Sequence, residues 1–265
     1  MQDTGKFRLN DKDKFYTKPS VATACVAELT KHAVGTWIEP SAGSGAFVDA
    51  AKREVIAMDI EPGREGITQR DFLTWTSPYT QCTVFGNPPF GRQATLARKF
   101  IRHAASFAAV IGFILPRSFM KPSMQKAVPL EFHLVHESPI DANAFIVNGA
   151  PYDVPCVFQV WKRMEVQRAV PVEAETEWIY VKKSEPHDIA IRRVGVYAGK
   201  CMRPDDSLSV QSHYFIKLPD GADVAAIIDY ICKKEFPSNT TGPRSLSKGE
   251  INAVLVDCVG AEATL

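Results

Sequence analysis

The stretch TWIEPSAGSG at residues 36–45 decides the fold, because a short apolar strand here runs directly into a loop that contains two glycines. The spacing of apolar residues predicts a helix over residues 19–34 before it and another over residues 46–53 after it. A strand, a glycine loop and a helix in this order bring backbone close to a ligand at the end of the strand. The stretch therefore predicts a ligand-binding loop in an α/β protein.

Strands and helices alternate through the rest of the first 165 residues. The spacing of apolar residues predicts a third helix over residues 94–107, and residues 72–75 indicate a helical turn or loop. Short apolar runs predict strands at residues 55–58, 83–85, 108–115, 132–137 and 154–161. This alternation is typical of a mostly parallel sheet covered on both faces, with functional loops at the carboxyl ends of its strands.

The character of the sequence changes after Trp161, where a charged connector begins. Beyond the connector, β-like runs are predicted at residues 178–181, 189–197 and 213–218. Helices are predicted at residues 222–234 and 248–256, with a loop at residues 237–243 between them. We therefore expect a catalytic domain at residues 1–165 and a small α+β module at residues 166–265, a size in the usual range.

Composition narrows the class of protein but not its partner. Hydrophobic residues make up 45% of the chain, which predicts a packed core, and no apolar run is long enough to span a membrane. Residues 1–14 are polar and do not resemble a secretory signal, so a cytoplasmic protein is expected. The six cysteines form no Cys-x-x-Cys pair, so we expect reduced core cysteines and no metal site. The net charge of +1 neither indicates nor excludes a nucleic-acid partner.

Asp59 ends the predicted strand that follows the glycine loop. An acidic side chain at this position can accept hydrogen bonds from the hydroxyl groups of a ribose. The alternative is a helix cap or a turn residue.

A second loop, Asn-Pro-Pro-Phe at residues 87–90, ends another predicted strand. Its prolines fix the backbone and lack N–H donors, so carbonyl groups are left to accept hydrogen bonds, and Asn87 adds a side-chain carbonyl. Two acceptors held toward an exocyclic amino group would localise its lone pair and make the nitrogen nucleophilic. Phe90 offers a flat face for a flipped base. The alternative is a rigid turn with a buried aromatic ring.

The order of these motifs over residues 12–161 resembles the class I S-adenosylmethionine-dependent amino-methyltransferases, and most of all the N6-adenine DNA methyltransferases of the gamma arrangement. The resemblance rests on residues 15–17, 39–45, 59, 71–72 and 87–90. It implies a Rossmann-like class I methyltransferase fold, S-adenosyl-L-methionine as cofactor, and direct methyl transfer to a flipped adenine in DNA.

The resemblance also implies roles for individual residues. The cofactor would be bound by Tyr16, Thr17, Glu39, Ala42, Gly43, Gly45, Asp59, Asp71 and Phe72. The catalytic loop would be Asn87, Pro88, Pro89 and Phe90. Phe90 and Phe145 would stack on the target base, although Phe145 fits a core position equally well.

Target recognition would lie in the C-terminal module, where basic residues are concentrated between residues 177 and 203. Basic side chains suit contacts with phosphates, and arginines can also read guanine. The candidates for binding nucleic acid are Arg192, Arg193, Lys200, Arg203 and Lys248. The alternative for each is a solvated β surface.

Three other functions stay open. The catalytic tetrad, Asn-Pro-Pro-Phe at residues 87–90, ends in Phe where many of the DNA enzymes have Tyr. This ending also fits an RNA adenine or guanine amino-methyltransferase. A protein glutamine methyltransferase and a catalytically silent binding subunit are less favoured. DNA is the expected partner and RNA the alternative. A restriction-modification role would add a companion nuclease, and the sequence does not define an oligomeric state.

Overall fold

The computed structural model describes residues 15–169, 176–237, 240 and 243–259. The polar segment 1–14 lies outside the described residues, as do residues 238, 239, 241 and 242 of the predicted loop 237–243. The chain divides into two compact units, Met1–Val170 and Pro171–Leu265, and each is described by itself.

The first unit carries strands and helices that alternate along much of its length. Its described strands and helices are β1 (Tyr16–Thr17), α1 (Pro19–Thr30), β2 (Thr36–Glu39), α2 (Ala46–Ala51), β3 (Ile56–Asp59), β4 (Thr68–Gln69), β5 (Cys82–Gly86), α3 (Thr95–Ala105), β6 (Val110–Pro116), α4 (Pro122–Gln125), β7 (Phe132–Pro139), β8 (Phe145–Val147), β9 (Ala150–Tyr152) and β10 (Cys156–Arg163). Short 3-10 turns lie at Phe72–Thr74, Arg92–Ala94 and Arg117–Met120.

Seven strands form the central sheet in the order β4-β3-β2-β5-β6-β10-β7. Strands β2 to β6 in this sheet pair in parallel, whereas β10 is inserted antiparallel between β6 and β7. Strands β3 and β4 are added on one side of β2, whereas β5 and β6 are added on its other side. The point between β2 and β5 is therefore a topological switch point, where ligands bind in open α/β sheets. This sheet order is that of the class I methyltransferase fold, so the predicted fold class is confirmed.

Helices cover both faces of the sheet, as the alternating pattern predicts. Along β6, Val110 and Ile114 pack into the core that contains the buried residues of α1 and α2. Ile111 and Phe113 point the other way, into the core that contains the buried face of α3. The two-residue period of the strand therefore divides the first unit into two hydrophobic layers.

A second, three-stranded sheet with the order β1-β8-β9 was not predicted. Strand β1 pairs antiparallel with β8, so that Tyr16 lies opposite Ile146. Strands β8 and β9 form a hairpin whose two turn residues, Asn148 and Gly149, have φ angles of +50° and +79°. Positive φ at both positions suits a tight hairpin turn, and Asn-Gly is a preferred sequence for it.

Several predicted boundaries were wrong for local reasons. Helix α1 ends at Thr30, short of residue 34. Helix α3 begins only at Thr95, because Gln93 and Ala94 have φ angles of +53° and +57°, which no α-helix accommodates. The strand predicted over residues 189–197 ends at Arg192, because the chain then enters a turn at residues 195–198.

The second unit is a four-stranded antiparallel sheet with two helices. Its described elements are β11 (Ile179–Val181), β12 (Ile189–Arg192), β13 (Cys201–Met202), β14 (His213–Lys217), α5 (Val224–Lys233) and α6 (Lys248–Val259). The strand order is β11-β14-β12-β13. Ile191 and Ile216 of the sheet share a core with Ile227 of α5 and Leu255 of α6, so both helices cover the same face. The connectivity agrees with the α+β module expected here.

The described part of the chain has no helix with the length and apolar character needed to cross a membrane. Four of the six cysteines are buried, as expected of core residues: Cys25, Cys82, Cys156 and Cys201. Across the same described ranges, no three His, Cys, Asp or Glu side chains are grouped to hold a metal ion.

Candidate active site

A cavity of about 290 Å³ lies in the first unit at the switch point of the central sheet. It is formed by the loops that follow β2, β3 and β5, together with the segment around β1. The predicted site residues that line it are Tyr16, Gly43, Asp59, Asp71, Phe72, Asn87, Pro88 and Pro89. It is also lined by residues to which the sequence analysis assigned no individual role, namely Phe15, Pro40, Ser41, Ile60, Glu61, Leu73, Leu96 and Phe100.

The side chain of Asn87 is held by Thr17 of β1 and by Phe15, the residue before β1. Its side-chain amide Nδ2 donates to the carbonyl of Phe15 and to the hydroxyl of Thr17, both at 3.1 Å. These two bonds orient the amide, and its Oδ1 is left buried without a hydrogen-bond partner in the described part of the chain. An unpartnered buried acceptor is costly and points to a group that a ligand completes. Thr17 itself is buried and positions Asn87 instead of lining the cavity.

The backbone of the Asn-Pro-Pro-Phe loop is fixed at both ends. Ser41 of the glycine loop donates its hydroxyl to the carbonyl of Asn87 at 3.1 Å, and the carbonyl of Phe90 accepts from the N–H groups of Leu96 and Ala97. Within the described ranges, no donor is bonded to the carbonyl of Pro88. The loop thus presents a side-chain and a backbone acceptor from adjacent residues.

The glycine loop needs a left-handed backbone at Gly43, whose φ is +50°. The Gly43 N–H donates to Oδ2 of Asp59 at 2.8 Å, and its carbonyl accepts from the N–H of Gly63 at 2.8 Å. A Cβ at this position would lie 3.3 Å from the ring of Tyr16. Glycine at residue 43 therefore allows the loop to pack closely between the β3 end and β1.

Gly45 contacts a side chain rather than the cavity. With φ at +90°, a Cβ here would lie 2.4 Å from the guanidinium carbon of Arg64. Arg64 forms a two-point ion pair with Asp49 of α2, at 2.7 and 2.9 Å. The positive φ favours glycine at residue 45, and the guanidinium of Arg64 occupies its open side. Ala42, another predicted cradle residue, is buried and does not line the cavity.

Glu39 lies at the end of β2 and is not among the residues that line the cavity. Only 2% of the residue is exposed, and its Oε2 has no hydrogen-bond partner among the residues that the structure describes. Burial, together with the nearby charge of Asp59, raises the pKa of Glu39 to about 8. Glycine at residue 86 leaves room for it, since a Cβ there would lie 3.1 Å from Cγ of Glu39. A cation near this carboxyl group would favour its ionised form.

Two acidic groups and an apolar side chain also line the cavity. Asp59 uses both carboxylate oxygens, accepting from the N–H groups of Gly43 and Glu61, each at 2.8 Å. Asp71 uses one oxygen, which accepts from the N–H of Leu73 at 2.9 Å. Ile60 lines the cavity with half of its surface exposed. Ile60 directly follows Asp59 at the end of β3, and this position is the sequence feature from which an apolar contact with a ligand could have been predicted.

Aromatic rings form a row beside the catalytic loop. Phe15 stacks on Phe90 with ring centres 6.2 Å apart, and on Tyr152 with ring centres 5.5 Å apart. Phe145 meets the edge of Phe15 and has no exposed surface, so it packs as a core residue and presents no face to a base. The expectation of base stacking is therefore corrected for Phe145. Tyr152, with 37% of its surface exposed, is an aromatic residue that the sequence analysis missed.

The basic residues predicted to bind nucleic acid occupy separate places on the second unit. Arg192 and Lys200 line one cavity. Lys248 lines another, with its ammonium 4.4 Å from the ring centre of Tyr180. Arg193 lies over the ring of Tyr214 and donates to the carbonyl of Gln211 at 2.9 Å, whereas Arg203 is exposed. Only Arg192 and Lys200 are thus shown lining the same cavity.

Comparisons with solved structures find partial similarity in fold. A proposed RNA methyltransferase from Pyrococcus horikoshii is 16% identical, with a TM-score of 0.45, over 57% of this chain and 87% of that one. The modification subunit of a proposed type I restriction enzyme from Vibrio vulnificus is 13% identical, with a TM-score of 0.45, over 57% of this chain and 44% of that one. The 23S rRNA methyltransferase ErmE is 15% identical, with a TM-score of 0.43, over 58% of this chain and 71% of that one.

No protein-family model matches the chain, and no curated protein matches it either. The assignment to the class I methyltransferase fold therefore rests on the strand order and on the antiparallel β10.

Proposed function

We propose that the chain is an S-adenosylmethionine-dependent methyltransferase that acts on an exocyclic amino nitrogen, with N6 of adenine in DNA as the first candidate. The observation that carries this proposal is the buried Oδ1 of Asn87, which has no partner among the described residues, in a residue that lines a cavity at the switch point. An acceptor beside the unbonded Pro88 carbonyl is suited to a planar NH2 group, which has two hydrogens to donate.

The residues around the cavity fit S-adenosyl-L-methionine. The Glu39 carboxyl group, with its unpartnered oxygen, would attract the cofactor's ammonium group. Asp59 retains lone pairs for ribose hydroxyls, and Asp71 has an oxygen free of described bonds for an adenine amino group. Ile60 would cover a face of the adenine ring. When bound, this cofactor supplies an electrophilic methyl group on a sulfonium sulfur.

The chain's own contribution to catalysis would be positioning and local electrostatics. Asn87 Oδ1 and the Pro88 carbonyl would accept from the target amino group and direct its lone pair. Phe15 and Thr17 would keep the Asn87 amide in the required orientation through the two bonds to its Nδ2. The surplus proton can leave after transfer, so no strong base is required beforehand.

The target would be a base taken out of its stack, because an amino group inside a duplex cannot reach such a cavity. Phe90 is the proposed stacking residue, supported by the row of rings that includes Phe15 and Tyr152. The second unit would contact the nucleic acid through its basic residues. A restriction-modification role with a companion nuclease belongs to this proposal.

A second candidate is an RNA adenine or guanine amino-methyltransferase. The observation that favours it is the phenylalanine at the end of the catalytic tetrad, which can stack on a base but has no hydroxyl to donate. The acceptor pair at Asn87 and Pro88 would serve either nucleic acid.

The test is methyl transfer from labelled S-adenosyl-L-methionine to duplex DNA, single-stranded DNA, total RNA and protein extract, followed by digestion and identification of the labelled residue. N6-methyladenine in DNA is the expected product. Label found only in RNA would select the second candidate, and label found only on protein glutamine would overturn both. If cofactor binds but no substrate is labelled, the chain is a silent subunit or requires a partner.

Glu39→Gln should remove the contribution of this buried carboxyl group to the pH dependence of the unfolding free energy. The pKa of Glu39 is raised by burial, so its ionisation opposes folding: the cost grows as pH rises from about 4.5 toward 8 and is complete above 8. Relative to wild type, the variant should gain up to about 1.4 kcal/mol of unfolding free energy per pH unit across this window. Urea unfolding without cofactor at pH 6 and pH 9 measures the difference.

The same variant should bind S-adenosyl-L-methionine more weakly, because it cannot supply a negative charge to the cofactor's ammonium group. Calorimetric titration at pH 8 measures this affinity. An unchanged affinity together with the expected pH effect on stability would show that Glu39 is a buried acid without a role in cofactor binding.

A further inference from the structure

The second unit carries a cavity of about 390 Å³ on the sheet face that points away from α5 and α6. Alternation along the strands creates this face. Ile191 and Cys201 point into the core beneath the helices, whereas Arg192 and Met202 point into the cavity. The loop that follows β13 closes the cavity with three serines: Ser207, Ser209 and Ser212.

Two basic residues, Arg192 and Lys200, line this cavity. The N–H of Arg192 donates to the carbonyl of Lys200 at 2.8 Å, which ties the two residues together. Nε of Arg192 donates to the carbonyl of Val194 at 3.2 Å, and neither its terminal nitrogens nor the Lys200 ammonium has a described partner. None of the described lining residues is acidic. Two acids lie in the loop beside Ser207: Asp205 accepts from the N–H of Ser207 at 2.7 Å, and Asp206 is exposed.

An aromatic ring stands beside the cations. Tyr197 lies in the turn between Arg192 and Lys200, and its carbonyl accepts from the N–H of Lys200 at 3.0 Å. Its side chain lines the cavity although 68% of the residue is exposed. A ring that is this exposed, next to two cations, is available to stack on a base while the cations hold a phosphate.

A buried histidine supplies a polar group at the cavity wall. His213 is 6% exposed, and its Nδ1 lies 3.0 Å from the hydroxyl of Ser212 and 3.1 Å from the carbonyl of Ser209. In the tautomer that donates from Nδ1 to this carbonyl, the Nε2 of the ring is an acceptor. This Nε2 has no described partner. It is therefore suited to an N–H group on the edge of a base.

We propose that this cavity binds one unstacked nucleotide of a nucleic-acid strand, with Arg192 and Lys200 on the phosphate, Tyr197 stacked on the base and His213 at the base edge. The inference rests on the proposed function in that the substrate is a nucleic acid. It adds a second site for a nucleotide, outside the one in which the amino group would react. An acidic peptide would use the two cations but not the exposed ring.

The experiment measures fluorescence anisotropy of labelled 20-mers of dT and rU, a duplex DNA and a polyglutamate peptide with the full chain. We expect Tyr197→Ala to weaken binding of the single strands about tenfold, and Tyr197→Phe to restore it, because stacking requires only the ring. Val196→Ala is the matched control in the same turn, since Val196 is 87% exposed and does not line the cavity. It should bind like wild type.

Lys200→Ala should lower the slope of log affinity against log salt for a single strand by about 0.7, the loss of one phosphate contact. The proposal is overturned if Tyr197→Ala and Val196→Ala bind alike, if polyglutamate binds as tightly as the strands, or if no strand binds. The cofactor titration is independent of these variants. Intact strand binding with methyl transfer to protein alone would overturn the proposed function and leave the nucleotide site standing.

Discussion

Asn87→Ala should lower methyl transfer by about a hundred- to a thousandfold while leaving the affinity for S-adenosyl-L-methionine nearly unchanged. The variant removes Oδ1, the buried acceptor that no group of the described chain satisfies. It leaves the acidic groups that line the cavity in place. Single-turnover transfer of labelled methyl, compared with calorimetric titration of the cofactor, separates the two effects.

Thr17→Val is the matched control for this prediction. It preserves Asn87 Oδ1 and removes one of the two acceptors that orient the amide, the bond from Nδ2 at 3.1 Å. Loss of a single neutral bond costs about 1 kcal/mol, so transfer should fall only about fivefold. Equal losses of cofactor affinity and transfer in Asn87→Ala would show that the loop holds the cofactor and that the proposed catalytic role is wrong.

The orientation of Asn87 depends on the pairing of β1 with β8, which the sequence analysis did not predict. Strand β1 has two residues, too few to show any periodicity, and its partner β8 lies about 130 positions away. Pairing at such a separation is a tertiary effect. Only the Asn-Gly pair at residues 148–149, between two short apolar runs, was a local signal for the hairpin that pairs with β1.

The central sheet was predictable because its signals are local. Apolar runs ended by a glycine loop, by Asp59 and by Asn87 mark the carboxyl ends of β2, β3 and β5, and the order of strands and helices places these ends on one edge. The residues that come together in the cavity are mostly those that follow these strands. The sequence therefore predicts which loops line most of the cavity.

Residues whose positions depend on contacts between distant segments were harder to predict. Gly45 was expected to form part of the cofactor cradle, but its open side is occupied by Arg64, held by Asp49. Phe145 was expected to be available for stacking, but β8 buries it against Phe15. A motif indicates which residue types are present, whereas the neighbours that cover them are set by packing.

Asp59→Asn should damage both the loop and the binding of cofactor. Both carboxylate oxygens accept from backbone N–H groups, so an amide nitrogen in place of either oxygen faces a donor. The unfolding free energy without cofactor should fall by about 1–3 kcal/mol. Affinity for S-adenosyl-L-methionine should fall about ten- to a hundredfold, because a charged acceptor for ribose hydroxyls is lost.

Asp71→Asn is the control that separates these two effects. Within the described ranges, only one oxygen of Asp71 is bonded, to the N–H of Leu73, so asparagine can keep that bond and turn its NH2 group toward the cavity. Stability should stay within about 0.5 kcal/mol of wild type, whereas cofactor affinity should fall because a donor faces the adenine amino group. Urea unfolding and calorimetric titration of both variants test this contrast. If Asp59→Asn loses stability but binds cofactor as wild type does, Asp59 braces the glycine loop and the ribose hydroxyls are held by other groups.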